Sequence, residues 1–382
     1  ASRKLGFGVK KTMMVAQRLY EAGYITYMRT DSIRLSDDAR KMAKEYINEK
    51  FGSKYYLERE FKAKGNAQDA HEAIRPTHLD ATITMGKDEE KLYNLILNRF
   101  LASQMAIAIY DTTKIRVNVE DYIFHINGSV IKFDGFMKLY IEGKDDKVKT
   151  KEEAEDDDDE IKVLPEFKIG EILKQKELKA DKKTTEPPAR YTEASLVKIM
   201  EEKGVGRPST YAPTISTIEE RFYIEKEGRY LKPTQLGEIV NKLLEDNFKD
   251  IVDVKFTAGM ENKLDDIADS KENYVEMLKD FYKPFNENLL KVQDKIEKVK
   301  IPEEETDVIC EKCGRKMVIK QGRFGKFLAC PGYPECQNIK PYVESIDIPC
   351  PECGGKVLIK RTKTRRPFYV CENNTNSEDS KC

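Results

Sequence analysis

The sequence contains no long hydrophobic run, almost no net charge, and no cysteine before residue 310. No apolar stretch approaches the ~18 residues of a membrane-spanning helix, and 35% of the residues are charged. We therefore expect a soluble protein of two or three domains without a membrane span. The first residues, ASRKLGFGVKKT, also lack the apolar core of a signal peptide. They are typical of the interior of a protein, so we expect another segment to precede them.

The net charge of −1 conceals two charged blocks. Residues 152–160, EEAEDDDDE, are acidic, whereas residues 356–366, KVLIKRTKTRR, are basic. When the partner of a protein is a polyanion, such local blocks matter more than the sum over the chain. The acidic block predicts a solvated loop with no function of its own.

All eight cysteines lie at or beyond Cys310, many of them in close pairs. This clustering indicates metal binding rather than a disulfide framework, and it fits a reducing cytoplasm. Two pairs that meet across a hairpin can hold Zn²⁺ tetrahedrally, and four thiolates leave no open position for catalysis. The sequence therefore predicts two structural zinc ribbons, at residues 301–345 and 346–382. The predicted ligands are Cys310, Cys313, Cys330 and Cys336 in the first ribbon, and Cys350, Cys353, Cys371 and Cys382 in the second.

The second cysteine set is less regular than the first. Ten residues separate Cys371 from Cys382, which is the last residue of the sequence. Whether the second zinc site is complete therefore stays open. Between the ligands, cations alternate with aromatic residues, a composition that suits single-strand binding by base stacking and phosphate pairing. Packing of the same aromatic rings on their own zinc cores is the alternative. The residues are Arg323, Phe324, Lys326 and Phe327 in the first ribbon, and Arg365, Arg366, Phe368 and Tyr369 in the second.

Residues 1–109 have the periodicity of helices. VKKTMMVAQRLYEAG places apolar residues on one face and stops at Gly23, a natural helix C-cap. KLYNLILNRFLASQMA carries a second apolar stripe. We expect both stripes to form core. They consist of Val9, Met13, Ala16, Leu19 and Tyr20 in the first segment, and Leu92, Ile96, Phe100 and Met105 in the second.

Residues 110–185 change to the alternation of strands. KIRVNVEDYIFHINGSVIKFDGF alternates apolar and polar residues and contains Asn127-Gly128, a strong hairpin signal. We predict a hairpin that turns at this dipeptide. EIKVLPEF and EILKQKEL, residues 160–167 and 171–178, are further predicted extended pieces. The region is a β-rich arch segment without a catalytic signature.

Residues 186–300 return to helices. Thr192 is predicted to cap a helix that ends at Gly204, and Ser209 to cap a second helix after a tight VGRP turn. FYIEKEGRYLKP then predicts a hairpin, and LGEIVNKLLEDNF predicts an amphipathic helix. This order is that of a winged-helix-like DNA-binding domain, although helix–turn–helix patterns also serve as plain structural corners. The amphipathic helix is predicted to bury Ile239, Val240, Leu243 and Leu244.

The sharpest local signal is GYITYMRTDS, residues 23–32. Tyr24 to Tyr27 favour a strand, in which Tyr27 and Arg29 would point the same way. A guanidinium beside a phenol suits attack on a phosphodiester, because it holds a phosphate oxygen and favours the phenolate. A covalent phosphotyrosine conserves the energy of the broken bond, so resealing needs no ATP. The alternative is that Tyr27 is an ordinary strand aromatic.

Four segments, in order along the chain, resemble bacterial type IA DNA topoisomerases. They are GYITYMRTDS at residues 23–32, AHEAIRPT at residues 70–77, EASLVKIMEEKGVGRPSTYAPTISTI at residues 193–218 and KFTAGMENKLDDIA at residues 255–268. The cysteine-rich tail completes the pattern. The resemblance implies a mainly α multidomain fold with a β-rich arch, in which winged-helix-like domains close a ring around DNA.

The resemblance also implies roles for particular residues. Tyr27 would be the nucleophile, Arg29 would contact the scissile phosphate, and His71 would approach DNA near the cleavage site. Arg207 and Thr210 would reach the single strand at the VGRPST corner. Gln17 and Glu21, on the helix before the tyrosine, would give polar support to the site. The remaining histidines, His78 and His125, are expected to be ordinary surface residues.

The implied activity is transient cleavage of one DNA strand through a 5′-phosphotyrosine, strand passage and resealing, which relaxes negative supercoils without ATP. Mg²⁺ would be bound by a Toprim domain that lies outside this sequence. We therefore expect the chain to bind DNA but to be inactive alone. The expected partners are single-stranded and negatively supercoiled DNA in the bacterial nucleoid. The protein is expected to be a monomer, and a contact of the zinc tail with RNA polymerase stays open.

Two alternatives remain at this point. Within the class, a topoisomerase III or a reverse gyrase shares the tyrosine segment, although the two C4 ribbons favour topoisomerase I. Outside the class, a non-enzymatic DNA-binding protein could be built from winged-helix and ribbon modules. Formation of a covalent DNA adduct separates these classes, because a binding module forms none.

Overall fold

The computed structural model describes residues 1–61, 71–142, 164–165, 167–179, 182, 184–185, 187–293, 295–296, 304–322, 325–361 and 367–374. The chain divides into two compact units, Ala1–Ile296 and Glu297–Cys382. The acidic block at residues 152–160 lies outside the described residues. No helix of the described residues is both long and apolar enough to cross a membrane.

The first part of the first unit is helical, as predicted. The periodic segment before Gly23 forms a helix that ends at Glu21, and Gly23 follows it with φ +76°. This left-handed conformation explains the glycine, because other residues adopt it only with strain. The helices of this part are α1 (Ser2–Leu5), α2 (Val9–Glu21), α3 (Asp37–Lys50) and α4 (Lys87–Ser103).

Two apolar clusters hold these helices together. In the first, Leu19 of α2 is fully buried and packs with Leu92 and Tyr93 of α4. In the second, α3 packs against the end of α4, where Met105 is fully buried. Truncation of such a residue to alanine costs about 2–5 kcal/mol. The predicted core stripes are confirmed at Ala16, Leu19, Leu92, Phe100 and Met105, whereas Val9, Met13 and Ile96 are half-buried and Tyr20 is exposed.

A long antiparallel hairpin follows, but its turn differs from the prediction. Strands β1 (Ile109–Val119) and β2 (Tyr122–Phe133) join at Glu120-Asp121, where Glu120 has φ +51°. The predicted turn at Asn127-Gly128 is wrong, because both residues lie within β2 and pair with β1. A turn there would leave only residues 129–133 for the second strand. The observed register instead gives every residue of β1 a partner.

The prediction of an extended piece at residues 171–178 is also wrong. Residues 171–178 form no strand. Their apolar residues Ile172, Leu173 and Leu178 are exposed, and no sheet of the described residues includes this segment. Only part of the first piece, residues 160–167, lies within the described residues, and that part forms no strand either.

Two helices, a hairpin and four further helices complete the first unit. The Thr192 cap is confirmed, with its hydroxyl accepting a hydrogen bond from Ser195 N at 3.1 Å. The Ser209 cap is wrong, because the second helix begins only after Thr210 and that threonine turns its hydroxyl back to Arg207. The predicted hairpin forms, with Gly228 in the turn. The elements are α5 (Glu193–Glu202), α6 (Tyr211–Glu220), β3 (Ile224–Glu227), β4 (Tyr230–Pro233), α7 (Gln235–Asn247), α8 (Lys249–Val252), α9 (Val254–Ala268) and α10 (Tyr274–Gln293).

The amphipathic helix α7 forms as predicted but is buried less deeply. Ile239, Val240 and Leu243 are half-buried, and Leu244 is 36% exposed. Aromatic rings join the last helices, since Phe256 of α9 contacts Phe281 of α10 with centroids 5.9 Å apart. This part of the unit therefore has a shallower core than the helices around Leu19.

The second unit consists of two small antiparallel sheets. In the first, the strand order is β5-β6-β7-β8, and in the second it is β9-β10-β11. A cysteine follows the first strand of each sheet, and a C-x2-C turn leads into the next strand. The strands are β5 (Glu304–Ile309), β6 (Lys316–Gly322), β7 (Gly325–Ala329), β8 (Ile339–Pro341), β9 (Glu344–Pro349), β10 (Lys356–Arg361) and β11 (Pro367–Cys371).

Candidate active site and zinc sites

The tyrosine segment after α2 is irregular, so the predicted strand over Tyr24 to Tyr27 is wrong. Ile25 alone makes an isolated bridge, with Pro76. A proline has no N–H and cannot continue a ladder, which limits pairing between the two segments. Thr26 N donates to Arg75 O at 2.9 Å, and Thr77 N donates to Tyr24 O at 3.0 Å. These bonds still dock residues 71–77 beside the tyrosine.

The side chain of Thr26 adds a second connection between the segments. Its hydroxyl donates to Ala73 O at 2.7 Å and accepts from Arg75 N at 2.9 Å. One partly buried hydroxyl thus satisfies a backbone acceptor and a backbone donor of the other segment. Sequence reasoning missed this role, although Thr26 lies inside the motif that it singled out.

The Tyr27 ring lies between two other aromatic rings. Tyr20, in the last turn of α2, is edge-on to Tyr27 with centroids 5.1 Å apart. His71 is edge-on to Tyr27 with centroids 5.5 Å apart. Such contacts are worth about 0.5–1.5 kcal/mol beyond their buried area, so they restrict the orientation of the half-buried phenol. The structure therefore brings together Tyr27 and His71, two of the residues selected from the sequence.

His71 Nδ1 is buried and has no hydrogen-bond partner among the described residues. Residues 62–70, directly before it, lie outside those residues. Arg29 is exposed, and within the described ranges it makes no hydrogen bond or ion pair. A cation that is not neutralised by a carboxylate can bind a phosphate. Gln17 donates to Glu21 at 2.7 Å, so these two polar residues of α2 bind each other.

Glu72 anchors the histidine segment to helix α3. Its carboxylate accepts from Ser36 N at 2.7 Å and from the Arg75 guanidinium at 2.9 Å. Burial alone would raise the pKa of Glu72, but the hydrogen bonds from Arg75 and Ser36 outweigh it and lower the pKa below its ordinary value of 4.5. The carboxylate is thus held ionised between an arginine and a helix N-terminus.

The corner between α5 and α6 places Arg207 against acidic residues. Its guanidinium donates to Asp265 at 2.6 Å, lies 3.9 Å from Glu261, and also donates to Gly206 O at 2.8 Å. Thr210 Oγ1 accepts from Arg207 N at 2.8 Å. Arg207 and Thr210, the two residues of this corner that are predicted to bind DNA, therefore already have hydrogen-bond partners within the protein. These contacts across α9 were not visible in the sequence.

The first cysteine set forms a compact tetrathiolate cluster, as predicted. The Sγ atoms of Cys310, Cys313, Cys330 and Cys336 all lie within 4.8 Å of one another. Cys310 Sγ is 3.7 Å from Cys336 Sγ, and Cys313 Sγ is 3.2 Å from Cys330 Sγ. Four sulfurs at about 2.3 Å from Zn²⁺ would be about 3.8 Å apart, so the set fits this ion.

A neighbouring amide supports the first cluster. Asn338 Nδ2 donates to Cys310 Sγ at 3.3 Å, and this bond is the largest of several hydrogen bonds, including those from the Lys312 and Cys313 backbone, that together lower the pKa of the thiol to about 6. Hydrogen bonds to ligating groups fix their orientation and favour the deprotonated form that binds metal. The cluster is therefore built for a cation.

The second set is described at three of its four positions. The Sγ atoms of Cys350, Cys353 and Cys371 lie within 4.8 Å of one another. Asn373 Nδ2 approaches Cys353 Sγ at 3.4 Å, in the manner of Asn338 in the first cluster. Cys382 lies outside the described residues, so it stays the predicted fourth ligand.

The aromatic residues of the ribbons differ in exposure. Phe327 on β7 is half-buried, whereas Tyr369 on β11 is 64% exposed and Phe368 is 43% exposed. Tyr369 is thus the ring most available to a nucleic-acid base among these three. The interleaved cations Arg323, Arg365 and Arg366, together with Phe324, lie outside the described residues.

The chain is similar to known proteins in both sequence and structure. A family model described as DNA topoisomerase matches residues 1–279. A model described as topoisomerase DNA binding C4 zinc finger matches residues 307–345 and 347–375. The structure of full-length topoisomerase I from Thermotoga maritima is similar, at 37% identity and a TM-score of 0.66. That match covers 90% of this chain and 55% of the Thermotoga chain, so this chain spans little more than half of that relative.

Proposed function

The chain belongs to the bacterial type IA DNA topoisomerases, and we propose that it provides the cleaving tyrosine, a strand-binding corner and a zinc-ribbon tail of a topoisomerase I. The observation that carries this proposal is the Tyr27 phenol, held between Tyr20 and His71, two residues before the exposed Arg29. A phenol with restricted orientation, followed two residues later by an exposed arginine, suits attack on a phosphodiester.

In the proposed reaction Tyr27 Oη attacks the phosphorus of a backbone phosphodiester. A bond from the phenolic oxygen to phosphorus forms, and the bond from phosphorus to the 3′-oxygen breaks. The phenol loses its proton, and the leaving oxygen becomes a 3′-hydroxyl, so neither strand end is oxidised or reduced. The 5′-phosphotyrosine keeps the energy of the phosphodiester, and attack by the 3′-hydroxyl reverses the reaction without ATP.

Arg29 is proposed to bind a non-bridging oxygen of the scissile phosphate. Its positive charge would stabilise the charge that develops during attack. His71 is proposed to contact the strand beside the phenol, since its ring is already packed there. Arg29 and His71 would thus both contact the DNA strand at the position of cleavage.

We assign single-strand binding to the α5–α6 corner and interpret α5, α6, β3 and β4 as a winged-helix-like arrangement. The order of elements supports this. Arg207 and Thr210 are the proposed strand contacts. Arg207 would exchange its acidic partners for phosphate when DNA binds. We also keep as proposals the domain limits 1–109, 110–185, 186–300, 301–345 and 346–382.

The zinc tail is proposed to hold single-stranded DNA through its exposed surface. Zn²⁺ would be held by the thiolates of the two cysteine sets and would supply folding energy rather than catalysis. Phe327 and Tyr369 are the proposed stacking residues, and Arg323 and Arg366 the proposed phosphate contacts. Tyr369 has the stronger support, since its ring is largely exposed.

Magnesium does not fit the described part of this chain. In that part, the groups that could hold a metal consist of cysteines, which are not the oxygen ligands that Mg²⁺ prefers. We therefore route no step through Mg²⁺. We propose that a Toprim-type domain of the whole enzyme binds it, as the 55% coverage of the Thermotoga chain allows.

We propose that the enzyme acts as a monomer on negatively supercoiled DNA of the bacterial nucleoid. Tyr27 and the corner lie in one compact unit of one chain, so no second subunit is needed to combine them. The cysteine pairs support a reducing cytoplasm. The tail forms a unit of its own and is the segment through which a contact with RNA polymerase would be made.

A suicide-cleavage assay tests the proposal. The full-length enzyme is incubated with a labelled single-stranded oligonucleotide, and the covalent adduct is mapped. We expect Tyr27→Phe to abolish the adduct while oligonucleotide affinity stays within about threefold, because the phenolic oxygen contributes little to ground-state binding. Tyr20→Phe and Tyr24→Phe are matched controls that should retain adduct formation. An adduct that survives Tyr27→Phe, or that maps to Tyr24, would overturn the assignment of Tyr27 as the nucleophile. No adduct with the unaltered enzyme would favour a non-enzymatic DNA-binding protein.

A further inference from the structure

Helix α2, which leads to the tyrosine segment, has no N-terminal cap of its own. The residue before its first turn is Gly8, whose side chain cannot accept a hydrogen bond. The first N–H groups of a helix have no partner within the helix and are usually capped by Ser, Thr, Asp or Asn. Here the acceptor comes from elsewhere, because Glu193 Oε2 accepts from Val9 N at 2.7 Å.

Gly8 leaves the space that this carboxylate occupies. A Cβ atom on Gly8 would lie 2.9 Å from Glu193 Oε2, closer than real contacts of this kind. The backbone of Gly8 is extended, with φ −67°, so the glycine is not needed for its conformation. A glycine at position 8 therefore leaves room for the Glu193 carboxylate to reach Val9 N.

The other oxygen of the same carboxylate binds the hairpin of the corner. Glu193 Oε1 is 2.6 Å from Lys226 Nζ on β3, and Lys226 is also 2.9 Å from Glu219 on α6. The Glu193 side chain is only 14% exposed. Burial alone would lower the pKa of Lys226, but the two carboxylates outweigh it and raise the pKa, which keeps the ammonium charged.

The carboxylate therefore connects the two parts of the proposed DNA site. α2 ends at the tyrosine segment, and Tyr20 in its last turn contacts the Tyr27 ring. α5, which begins at Glu193, leads into the corner that carries Arg207. α2 also packs on α6, and Lys10 is 3.4 Å from Glu220 in an exposed ion pair. Among these contacts, that of the Glu193 carboxylate is partly buried, and it joins the N-terminus of α2 to a charged side chain of β3.

We propose that Glu193 is a positioning residue for DNA cleavage, whose carboxylate sets the separation between Tyr27 and the strand-binding corner. This inference rests on the proposed function. DNA bound at the corner continues to Tyr27 along one strand, so a shift of the corner relative to α2 moves the scissile phosphate relative to the phenol. Misplacement of a reacting group by about 1 Å can cost on the order of 100-fold in rate.

The first experiment tests the contact without reference to cleavage. Hydrogen–deuterium exchange of residues 9–12 is measured in this chain and in its variants. Glu193→Ala removes the acceptor of Val9 N–H, so we expect exchange in the first turn of α2 to rise by at least tenfold. Gly8→Ala should act in the same direction, because the new Cβ displaces the carboxylate. Glu219→Gln is the matched control, since it removes the other partner of Lys226 and leaves α2 unchanged. Equal exchange in Glu193→Ala and Glu219→Gln would overturn the proposal.

The second experiment measures cleavage by the full-length enzyme at saturating oligonucleotide. We expect Glu193→Ala to lower the rate of adduct formation by 10- to 100-fold while the oligonucleotide Kd stays within threefold. Glu193→Gln keeps an acceptor for Val9 N–H but loses the charge that pairs with Lys226, so its rate should be intermediate. Glu219→Gln should cleave like the unaltered enzyme.

Three results would contradict the positioning role. They are an unchanged cleavage rate in Glu193→Ala, an equal loss in Glu219→Gln, and a loss that follows the Kd rather than the rate. Thermal unfolding of each variant identifies one that fails to fold. If Glu193→Ala does so, Glu193→Gln, which keeps the number of non-hydrogen atoms, decides instead. Absence of any adduct from the unaltered enzyme would contradict the proposed function instead, and the exchange measurement would still decide whether Glu193 holds α2.

Discussion

The imidazole ring of His71 is edge-on to the phenol ring of Tyr27, with centroids 5.5 Å apart and planes inclined by 61°. The two residues belong to segments separated by helix α3 in the chain. What joins the segments is the Thr26 hydroxyl, which bonds to Ala73 O and Arg75 N. Thr26, which directly precedes the proposed nucleophile Tyr27, therefore positions the segment of His71, whose ring contacts Tyr27.

Thr26→Val should separate the two rings and destabilise the first unit. Valine has the shape of threonine but can neither donate to Ala73 O nor accept from Arg75 N. At about 0.5–1.5 kcal/mol for each hydrogen bond, the free energy of unfolding should fall by about 1–3 kcal/mol. Urea unfolding followed by circular dichroism measures this. Thr26→Ser keeps the hydroxyl and should lose less than half as much; equal losses in both variants would show that the hydroxyl is unimportant.

Glu72 should make stability depend on pH in the acidic range. Because its folded pKa lies below the ordinary value of 4.5, the folded state binds this proton less readily than the unfolded state. The stabilisation is thus fully present above pH 4.5 and is lost as the pH falls through the folded pKa. Glu72→Gln should cost about 1–3 kcal/mol at pH 7, and the difference from the unaltered chain should shrink below pH 4.5. Unfolding curves between pH 3 and pH 7 measure it, and a difference that is constant over this range would contradict the assignment.

Asp265 should compete with DNA for Arg207. Asp265→Asn removes the carboxylate that lies 2.6 Å from the guanidinium, so single-strand affinity should rise several-fold at moderate salt. The slope of log affinity against log salt should become steeper by about 0.7, the value for one extra phosphate contact on a single strand. Fluorescence anisotropy with a labelled oligonucleotide measures both quantities.

Asp266→Asn is the control for Asp265→Asn. It removes the same charge from the same helix, but Asp266 lies 3.9 Å from Lys271 and does not contact Arg207. An equal gain of affinity in both variants would mean that only the general field of the helix has changed. Arg207→Gln added to Asp265→Asn should cancel the gain.

Zinc removal should unfold the tail selectively. Thiolate ligation supplies the folding energy of small ribbons, so a strong chelator should abolish the strands of Glu297–Cys382 and leave Ala1–Ile296 folded. Metal analysis should give two zinc ions per chain before chelation and one in Cys313→Ser. Cys382→Ser should lower the affinity of the second site; unchanged zinc content and affinity in this variant would exclude Cys382 as the fourth ligand.

This chain alone should bind single-stranded DNA without relaxing supercoiled plasmid. Arg29 is the single cation that we place at the scissile phosphate, and Mg²⁺ has no fitting site in the described residues. Binding should weaken steeply with salt, as the release of counterions requires. Gel-shift and relaxation assays with and without Mg²⁺ measure both properties. Relaxation by this chain would show that its catalytic groups are sufficient, and salt-independent binding would contradict the phosphate contacts.

Local patterns in the sequence were enough to predict α2, α4, the Thr192 cap and the β3–β4 hairpin. Each depends on periodicity or on a cap within a few residues, and such signals act over one turn of backbone. The spacing of the cysteines likewise predicted the first zinc cluster, because a C-x2-C turn has little freedom in where it places two sulfurs. The motif around Tyr27 was sufficient to predict the protein family.

Contacts between distant segments were decided only by the tertiary structure. The turn of the long hairpin lies at Glu120-Asp121 rather than at the favourable Asn127-Gly128, since a ladder along all of β1 outweighs the preference of one dipeptide. The partners of Arg207 and the cap that Glu193 provides for α2 are likewise absent from any local pattern. Such pairs form because packing of several elements brings charges together that lie far apart in the chain, and no short window of sequence contains both partners.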